Sequence, residues 1–274
     1  MKQKQSVVIE RRHRIKSLFA EHQILQVSQV SKLLNVSDLT IRRDFDALVQ
    51  EGFIQRIHGG GKLLATSYPE SPLFKDKHTL GQLQKQEIAA YISTLVKDND
   101  TVFLNAGTTT FEIIKKLRDK HVVIVTNNAL ACTVMDDCTA SLISTGGEYN
   151  PHNQSYTGMM AAALLQKMNA TICVLGVNGI SCDEGITTSN YMETMINEEM
   201  LKRCKGLRIV AAHGSKIRRI FNFASAPISS IDLLVTDSSA SSQELERIRS
   251  AGVNVVLVDQ AAAPGQPKLP DVPA

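Results

Sequence analysis

Seven short runs of apolar and β-branched residues recur beyond residue 100, and stretches with helical spacing separate most of them. The runs lie at residues 101–105, 122–126, 141–145, 171–176, 207–212, 232–236 and 254–258. The helical stretches lie at residues 82–97, 109–119, 128–136, 157–168, 190–205 and 241–251. Strands that are apolar along their whole length and alternate with helices are typical of parallel sheets covered on both faces. The pattern therefore predicts an α/β fold with a mostly parallel, helix-flanked sheet.

The first 62 residues differ from the rest in pattern and in charge. They contain eleven Lys and Arg against six Asp and Glu, whereas the remainder contains nineteen against twenty-one. Three helices are predicted here. The first covers residues 9–21, the second begins after an N-cap at Ser28, and the third extends from an N-cap at Ser37 to an end at Gly52. Two short strands around a triple-glycine tip follow at residues 53–64. This succession predicts an N-terminal winged helix-turn-helix domain, and its basic charge favours a polyanionic partner.

The helix after Ser37 has the residue types of a recognition helix. Its apolar positions Ile41, Phe45 and Leu48 recur at helical spacing and are predicted to face inward. Arginines on the outer face can pair with guanine in the major groove, and a threonine there can reach a base or a phosphate. The residues expected to face double-stranded DNA, including those of the wing, are Ser37, Leu39, Thr40, Arg42, Arg43, Arg56, His58, Gly59 and Gly60.

Two acidic residues accompany the arginine pair of this helix. Asp44 and Asp46 are expected to orient the arginines or to contact water rather than DNA. The glycines at 59–61 suit a wing that approaches the sugar-phosphate backbone closely. A small helical domain with a solvated arginine pair is the alternative interpretation of the same residues.

A candidate anion site follows the first strand of the α/β half. Gly107 permits a tight turn after residues 101–105, and three threonines then open a helix. Backbone N–H groups at a helix N-terminus, together with hydroxyls, can bind a phosphate, although a capped helix that binds nothing gives the same pattern. Further turns of small and polar residues follow other strands, at residues 126–128, 145–148 and 176–179. Ligands of open parallel sheets bind at the carboxyl ends of strands, so these turns together favour a ligand site.

The N-terminal segment VSDLTIRRDFDALVQEGFIQRIHGGG resembles the signature of the DeoR family of bacterial transcription regulators. The family pattern is V-S-x-x-T-I-R-R-D-L followed by R-x-H-G-G-A, and here Phe45 replaces Leu and Gly61 replaces Ala. Upstream, Arg12, Ile15 and Leu18 also match the family's first helix. The resemblance implies a sequence-specific regulator, usually a repressor, that acts at operators near sugar-catabolic genes.

The α/β half resembles the sensor domain of the same family, whose fold is shared with ribose-5-phosphate isomerase and sugar-phosphate deaminases. The resemblance covers residues 9–259 and implies a bound phosphorylated sugar or related metabolite, with the phosphate at the threonine turn. No catalytic residue, metal or cofactor is expected. The residues that the resemblance and the turns assign to the effector site are Asn105, Ala106, Gly107, Thr108, Thr109, Thr110, Thr126, Asn127, Gly146, Gly147, Glu193, His213 and Lys216.

Two of these positions depart from the family pattern. Asn105 stands where the family has Asp before A-G-T-T, and His213 stands where it has Asp in D-x-S-K. Both changes remove a carboxylate of the kind that commonly holds sugar hydroxyls, so the sequence predicts an anionic, phosphorylated effector without specifying a sugar. Two alternatives stay open: a regulator whose sensor domain no longer senses, and a less favoured isomerase-like enzyme, which would need a general base that Asn cannot supply.

The predicted organisation is a DNA-binding domain at residues 1–62, a linker at 63–81, a sensor domain at 82–260 and a disordered tail at 261–274. The sequence has no apolar run of eighteen residues and no secretory signal, so we expect a cytoplasmic protein without a membrane partner. Its five cysteines form no C-x-x-C pair, which argues against structural zinc. Because operators are usually read by dimers, we also expect a homo-oligomer, either a dimer or a tetramer.

Overall fold

The computed structural model divides the chain into two compact units, Met1–Asp76 and Lys77–Ala274. It describes residues 8, 11–12, 14–16, 18–19, 22, 24–50, 53–63, 74 and 80–260. The predicted helix end at Gly52, most of the predicted linker and the predicted tail therefore lie outside the described residues.

The first unit has the predicted winged helix-turn-helix arrangement. The described residues between 8 and 22 are helical. The elements that follow are β1 (Ile24–Gln26), α1 (Val27–Leu34), α2 (Asp38–Gln50), β2 (Ile54–Ile57) and β3 (Gly60–Leu63). The three strands form an antiparallel sheet in the order β1-β3-β2, so β3, the last of them in the chain, lies between the other two.

Five fully buried side chains hold the first unit together: Ile15, Phe19, Ile41, Phe45 and Leu48. The rings of Phe19 and Phe45 lie 5.1 Å apart between centroids, at a tilt of 53°. This contact joins the first helix to α2, because one ring comes from each. The inward face predicted for α2 is confirmed, and burying side chains of this size stabilises the fold by about 1.5–3 kcal/mol each.

The capping predictions for the two helices had different outcomes. The N-cap at Ser37 is confirmed, since the backbone N–H of Thr40 donates to Ser37 Oγ at 3.3 Å. The N-cap at Ser28 is wrong: α1 begins earlier, at Val27, and Gln26 precedes it without a side-chain cap. The register of β1 with β3 explains the early start, because the helix follows the strand directly and Val27 N–H donates to the carbonyl of Gly59 at 2.9 Å.

The second unit contains all seven predicted strands and several shorter ones. Its strands are β4 (Thr101–Leu104), β5 (Val123–Thr126), β6 (Ser141–Ser144), β7 (Glu148–Asn150), β8 (Ser155–Thr157), β9 (Ala170–Gly176), β10 (Gly179–Ser181), β11 (Gly185–Thr188), β12 (Cys204–Ala211), β13 (Phe223–Ala226), β14 (Leu233–Thr236) and β15 (Asn254–Leu257). Its helices are α3 (Gln82–Leu95), α4 (Thr108–Leu117), α5 (Met159–Leu165), α6 (Tyr191–Arg203) and α7 (Ser242–Ser250).

The main sheet has the order β15-β14-β12-β9-β4-β5-β6, and every neighbouring pair is parallel. From β4 the chain proceeds outward through β5 to β6, and it then returns to β9 and proceeds outward on the other side. The strand order therefore reverses between β4 and β9. In open parallel sheets such a switch point opens a crevice at the carboxyl ends of the strands, where ligands bind.

Helices cover both faces of this sheet, as predicted. Val102 and Leu104 of β4 pack in a core cluster with residues of α3 and α4, whereas Phe103 packs in a second cluster with residues of α5, α6 and α7. This alternation follows from the two-residue period of a strand. It explains why the strands read as continuous apolar runs, since both of their faces are buried.

Some elements differ from the prediction or were absent from it. The helix predicted at 128–136 is wrong, because only a one-turn 3-10 helix, Ala131–Val134, forms there. Asn128 accounts for this, since its side-chain Oδ1 accepts from the N–H of Leu130 at 3.0 Å and so competes with helical hydrogen bonding. The hairpin β7–β8 and the antiparallel sheet β10-β11-β13 were not predicted. Within the described part of the chain, no helix is long and apolar enough to cross a membrane.

Candidate functional site

The outer face of α2 presents the predicted DNA-reading residues. Leu39 is 60% exposed, and Arg42 and Arg43 are also exposed. Thr40 is half-buried, and its hydroxyl lies 2.9 Å from Ser37 Oγ, so these two polar side chains begin the helix together. Of the residues of this helix that were predicted to face DNA, Leu39, Arg42 and Arg43 are therefore the exposed ones.

Arg56 of the wing lies against α2 instead of extending freely. Its Nη2 atom is 2.8 Å from Asp46 Oδ1 and donates to the carbonyl of Arg42 at 3.4 Å. Its guanidinium also lies over the Phe45 ring, 5.6 Å from the centroid. Asp46 thus binds the wing arginine and does not orient the arginines of its own helix, which corrects the sequence-based expectation. Arg56 joins the wing to the recognition helix.

The three glycines of the wing serve different purposes. His58 and Gly59 form the exposed two-residue turn between β2 and β3, and Gly59 has a positive φ of 74°. Gly60 and Gly61 are buried within β3, where a Cβ atom on Gly60 would lie 2.1 Å from the carbonyl oxygen of Leu25. Close packing between strands therefore requires Gly60, and contact with DNA is not the reason for it. His58 and Gly59 form the exposed tip of the wing.

Asp44 is the residue of α2 whose role the sequence missed. It is 1% exposed and binds two arginines from the helical residues between 8 and 22, with Arg11 Nε at 2.6 Å and Arg12 Nε at 3.1 Å. The hydrogen bond to Asp44 raises the pKa of the Arg11 guanidinium. The expectation that Asp44 orients the arginines of its own helix is therefore wrong. A buried carboxylate needs a cationic partner, and the first helix supplies two.

In the second unit, Asn105 bridges the two strands at the switch point. It follows β4, and its side chain both donates to the Gly176 carbonyl at 2.8 Å and accepts from the Gly176 N–H at 2.7 Å. The same amide nitrogen donates to Asn197 Oδ1 of α6 at 2.9 Å. The polar atoms of Asn105 are thus occupied by the protein. An aspartate could not donate these hydrogen bonds, so the bridge between the strands explains why an asparagine occupies this position.

The threonine turn lies beside this bridge, at the start of α4. Thr108, Thr109 and Thr110 are all buried. The Thr110 hydroxyl donates to the carbonyl of Asn105 at 2.7 Å, so it holds the turn together. The first N–H groups of a helix have no intrahelical acceptor, and the helix dipole makes this end positive. No hydrogen bond within the described residues is found for the hydroxyls of Thr108 and Thr109, which lie beside these N–H groups at the start of α4.

Asn127 connects the threonine turn to the β7–β8 hairpin. Its Oδ1 accepts from the N–H of Ala106 at 2.7 Å, and its Nδ2 donates to the carbonyl of Tyr156 at 2.8 Å. Gly147 has a φ of 109° and packs against the end of β8, because a Cβ atom on Gly147 would lie 2.5 Å from the carbonyl oxygen of Thr157. The buried residue Thr126 ends β5 immediately before Asn127, and Gly146 has a φ of 60°. The predicted residues of β5 and of the glycine turn are thus grouped at one edge.

Glu193 lies in the first turn of α6 and takes part in a polar cluster. Its carboxylate accepts from Thr188 Oγ1 at 2.6 Å and from the side-chain amide of Asn153. Thr188 Oγ1 also lies 3.1 Å from Asn178 Oδ1, just beyond β9. Asn197 follows Glu193 by one helical turn, so both lie on one face of α6. The sequence analysis included Asn178 only as part of the turn at residues 176–179, and it did not single out Asn153, Thr188 or Asn197 as site residues, because only the fold brings these side chains together.

His213 and Lys216 follow β12, at the same edge of the sheet. Ser215 N–H donates to His213 Nδ1 at 3.1 Å, and His213 Nε2 lies 3.8 Å from Asp237 Oδ2. Asp237, a buried carboxylate that the sequence analysis did not single out, also accepts from the N–H of Gly214 at 2.8 Å. Lys216 ends the one-turn helix that follows His213. Because β12 and β4 are two strands apart, this turn begins about 10 Å from the threonine turn.

Two cysteines of the main sheet, Cys173 on β9 and Cys204 at the start of β12, are buried. Burial raises the pKa of the Cys173 thiol well above its ordinary value and also raises that of Cys204. Both thiols therefore stay protonated near neutral pH, whereas a nucleophilic cysteine would be a thiolate. No cluster of histidine, cysteine or acidic residues that could hold a metal occurs among the residues whose positions are described.

The two candidate sites are an exposed helix with a pair of arginines and a polar switch point in a parallel sheet, and they fit a DNA-binding regulator with a separate sensor unit. The DeoR-like helix-turn-helix domain family matches residues 11–67, and the DeoR C terminal sensor domain family matches residues 81–238. The chain belongs to the DeoR family and is a DNA-binding transcriptional regulator.

Several curated relatives are similar over most of the chain. The HTH-type transcriptional regulator GolR of Listeria innocua is 30% identical over 91% of this chain and 98% of its own length. The lactose phosphotransferase system repressor of Lactococcus lactis is 28% identical over 81% of this chain and 88% of its own. The regulator IolR of Bacillus subtilis is 29% identical over 78% of this chain and 85% of its own.

Solved structures give a more distant likeness. Ribose 5-phosphate isomerase A of Methanocaldococcus jannaschii is 15% identical, with a TM-score of 0.36 over 49% of this chain and 54% of that chain. A likeness of this size carries no argument about activity.

Proposed function

We propose that this protein represses genes for the use of a sugar or related carbon compound. The support for this proposal, beyond membership of the DeoR family, is that the relatives include a named repressor of a lactose phosphotransferase system. We also propose that residues 1–62 form the DNA-binding domain, that residues 82–260 form the sensor domain, and that the protein acts as a homo-oligomer, since paired half-sites are the usual way for helix-turn-helix proteins to gain affinity.

The effector proposed for the sensor unit is a phosphorylated small molecule. The observation that carries this proposal is the threonine turn, which places a helix N-terminus beside the crevice between β4 and β9. Helix N-termini bind phosphates through free N–H groups, and Thr108 and Thr109 add hydroxyl donors there. Lys216 begins about two strands away, so its ammonium group can contact the same ligand from the other side of the crevice.

Control of DNA binding requires that the effector distinguish two states of the protein. A ligand shifts such an equilibrium only by its difference in affinity for the two arrangements. The hydrogen bonds of Asn127 tie the threonine turn to the β7–β8 hairpin, so a ligand bound at the turn acts directly on that hairpin. The named relatives are regulators and repressors, and we propose that the sensor unit binds its ligand without converting it.

The experiment that tests the effector proposal is a thermal-unfolding series against inorganic phosphate and a panel of sugar phosphates. A ligand that binds only the folded protein stabilises it by RT ln(1 + [L]/Kd), so Tm rises with the logarithm of concentration. The double variant Thr108→Val/Thr109→Val keeps the shape of the turn and removes both hydroxyls, and it should lose this rise. The matched control is Thr94→Val in α3, whose hydroxyl donates to the carbonyl of Tyr91, away from the crevice.

The same panel is then applied to an operator that has been selected from a random pool of DNA duplexes. A compound that raises Tm should also change operator affinity, as measured by fluorescence anisotropy. An unchanged response in the double threonine variant would contradict the proposed phosphate site. A compound that stabilises the protein and leaves operator affinity unchanged would contradict its role as an effector.

A further inference from the structure

Asp44 carries one negative charge and is bonded to two positively charged side chains, those of Arg11 and Arg12. Arg11 binds it in a bidentate way, with Nε at 2.6 Å and Nη2 at 3.1 Å from the two carboxylate oxygens. Arg12 adds a third bond, from its Nε to Asp44 Oδ1 at 3.1 Å. Two guanidinium groups therefore share one carboxylate, and one positive charge is left over. Arg11 alone would satisfy the carboxylate, so the second arginine calls for another explanation.

Arg12 is held by its inner nitrogen only. Its side chain is 34% exposed, twice the 17% of Arg11. The bond through Nε leaves the two terminal nitrogens, which carry most of the donors of the guanidinium group, without a partner among the described residues. A guanidinium anchored at one side and open at the other is oriented to bind a second anion with its free nitrogens.

The position of Asp44 on α2 places this open group beside the DNA-reading face. Asp44 follows the exposed Arg43 and lies one helical turn after Thr40, on the flank of the helix between its buried and outer faces. A helix is about 10–12 Å wide and the major groove is about 12 Å wide, so the flanks of an inserted helix lie next to the two phosphate strands.

We infer that Arg12 binds a phosphate of the DNA backbone alongside the recognition helix, and that Asp44 is the positioning residue that orients it. The ligand is the phosphodiester group itself, so this contact adds affinity on every sequence and no base preference. It adds to the base-reading face a fixed point that sets how α2 lies in the groove. The inference rests on the DNA-binding activity of the family and does not depend on the proposed effector.

The salt dependence of DNA binding tests the inference, because each phosphate contact releases counterions. Binding of the full-length protein to a fluorescent duplex of arbitrary sequence is measured by anisotropy over a range of salt concentrations. The slope of log affinity against log salt should fall in magnitude by about 0.9 in Arg12→Ala, as expected for one lost contact. Between about 50 and about 200 mM salt, the variant should accordingly lose about threefold less affinity than the parent.

The matched control is Arg14→Ala, which removes the same charge from the same helix. Arg14 is exposed and lies two residues further along, about 200° around the helix axis from Arg12. Its removal should leave the slope within error of the parent protein. Thermal unfolding of each variant, followed by circular dichroism, shows whether the first unit remains folded at the temperature of the assay. Arg12→Gln, which retains a donor for Asp44, serves in place of Arg12→Ala if that protein unfolds.

The outcomes separate the proposed role from a structural one. A lower slope in the Arg12 variant with an unchanged slope in the Arg14 variant supports the phosphate contact. A lower Tm with the parent slope would show that Arg12 only stabilises the fold, and it would overturn the inference. Because no sugar phosphate is present in this assay, neither result bears on the proposed effector.

Discussion

The two candidate sites of this protein differ in how their residues are presented. On α2, Leu39, Arg42 and Arg43 extend into solvent. At the edge of the parallel sheet, Asn105 and Asn127 are almost completely buried and bonded to other protein groups. DNA is a large ligand that a protruding surface meets, whereas a small molecule is bound in a concave site with fixed polar groups. Substitutions on the exposed face of α2 should consequently change DNA binding with little effect on stability. Substitutions of the buried polar residues in the sheet should change ligand binding and stability together.

The largest effect is expected for Asn105→Asp, which restores the residue typical of the family. The new carboxylate would face the carbonyl of Gly176 in place of an amide donor, and this buried repulsion should lower the free energy of unfolding by about 3 kcal/mol. Urea unfolding measures the loss. The matched control is Asn99→Asp, the same chemical change at an exposed position with a φ of 71°. Parent-like stability in Asn105→Asp would show that the amide bridge does not hold the switch point together.

The next effect concerns DNA recognition by Arg43. If this side chain contacts a base, Arg43→Ala should weaken binding to the selected operator by about 1–3 kcal/mol and should relax base preference at one position. The free energy of unfolding should change by less than about 0.5 kcal/mol, since Arg43 is exposed. Anisotropy titrations with operator and scrambled duplexes separate the cases. Equal weakening on both would assign Arg43 to the phosphate backbone and would contradict base reading.

A smaller effect is expected for the cap at Ser37. Ser37→Ala should destabilise the first unit by about 1 kcal/mol, because the N–H of Thr40 loses its side-chain acceptor at 3.3 Å and keeps only the Ser37 carbonyl at 2.9 Å. Ser28→Ala is the control, since Ser28 precedes no helix start and its side chain caps nothing. Chemical denaturation of the two variants should therefore give different midpoints. If both lose the same stability, the cap is not the source of the loss. Operator binding by folded Ser37→Ala protein shows whether this serine also contacts DNA.

The smallest effect, and one of opposite sign, is expected for Thr236→Val at the end of β14. Its hydroxyl is buried without a hydrogen-bond partner in the described part of the structure, so its removal should raise the free energy of unfolding by up to about 1 kcal/mol. The same substitution at Thr110, whose hydroxyl donates to Asn105, should lower it by about 1 kcal/mol. Calorimetric unfolding of both variants tests the difference in sign. A loss at Thr236 would mean that its hydroxyl is satisfied after all.

The sequence predicts the two units and the main sheet well, because their signals are local. All seven strands of the parallel sheet were found from apolar runs, and the capped recognition helix from Ser37 and the spacing of Ile41, Phe45 and Leu48. The threonine turn was found from the glycine and the three threonines that follow the first strand of the α/β half. These features depend on residues close together in the chain, where periodicity and capping are visible.

The sequence could not predict contacts between distant residues. Asp44 was assigned to its neighbouring arginines, yet it binds Arg11 and Arg12, more than thirty positions away. Asn105 was interpreted as a change of ligand chemistry, yet it bridges β4 to Gly176. A buried polar residue takes whichever partner the fold brings to it, and no spacing rule reveals that partner in advance.

The bridge between Asn105 and Gly176 also has a consequence for the order in which the two units fold during synthesis. It joins residues 71 positions apart, whereas Asp44 and its arginines lie within 33 positions. Contacts close in the chain form sooner, and a chain folds from its N-terminus as it leaves the ribosome. The DNA-reading unit can therefore fold while the centre of the sheet still lacks β9. A nascent chain therefore completes the unit that carries the DNA-binding helix before it completes the sheet that carries the threonine turn.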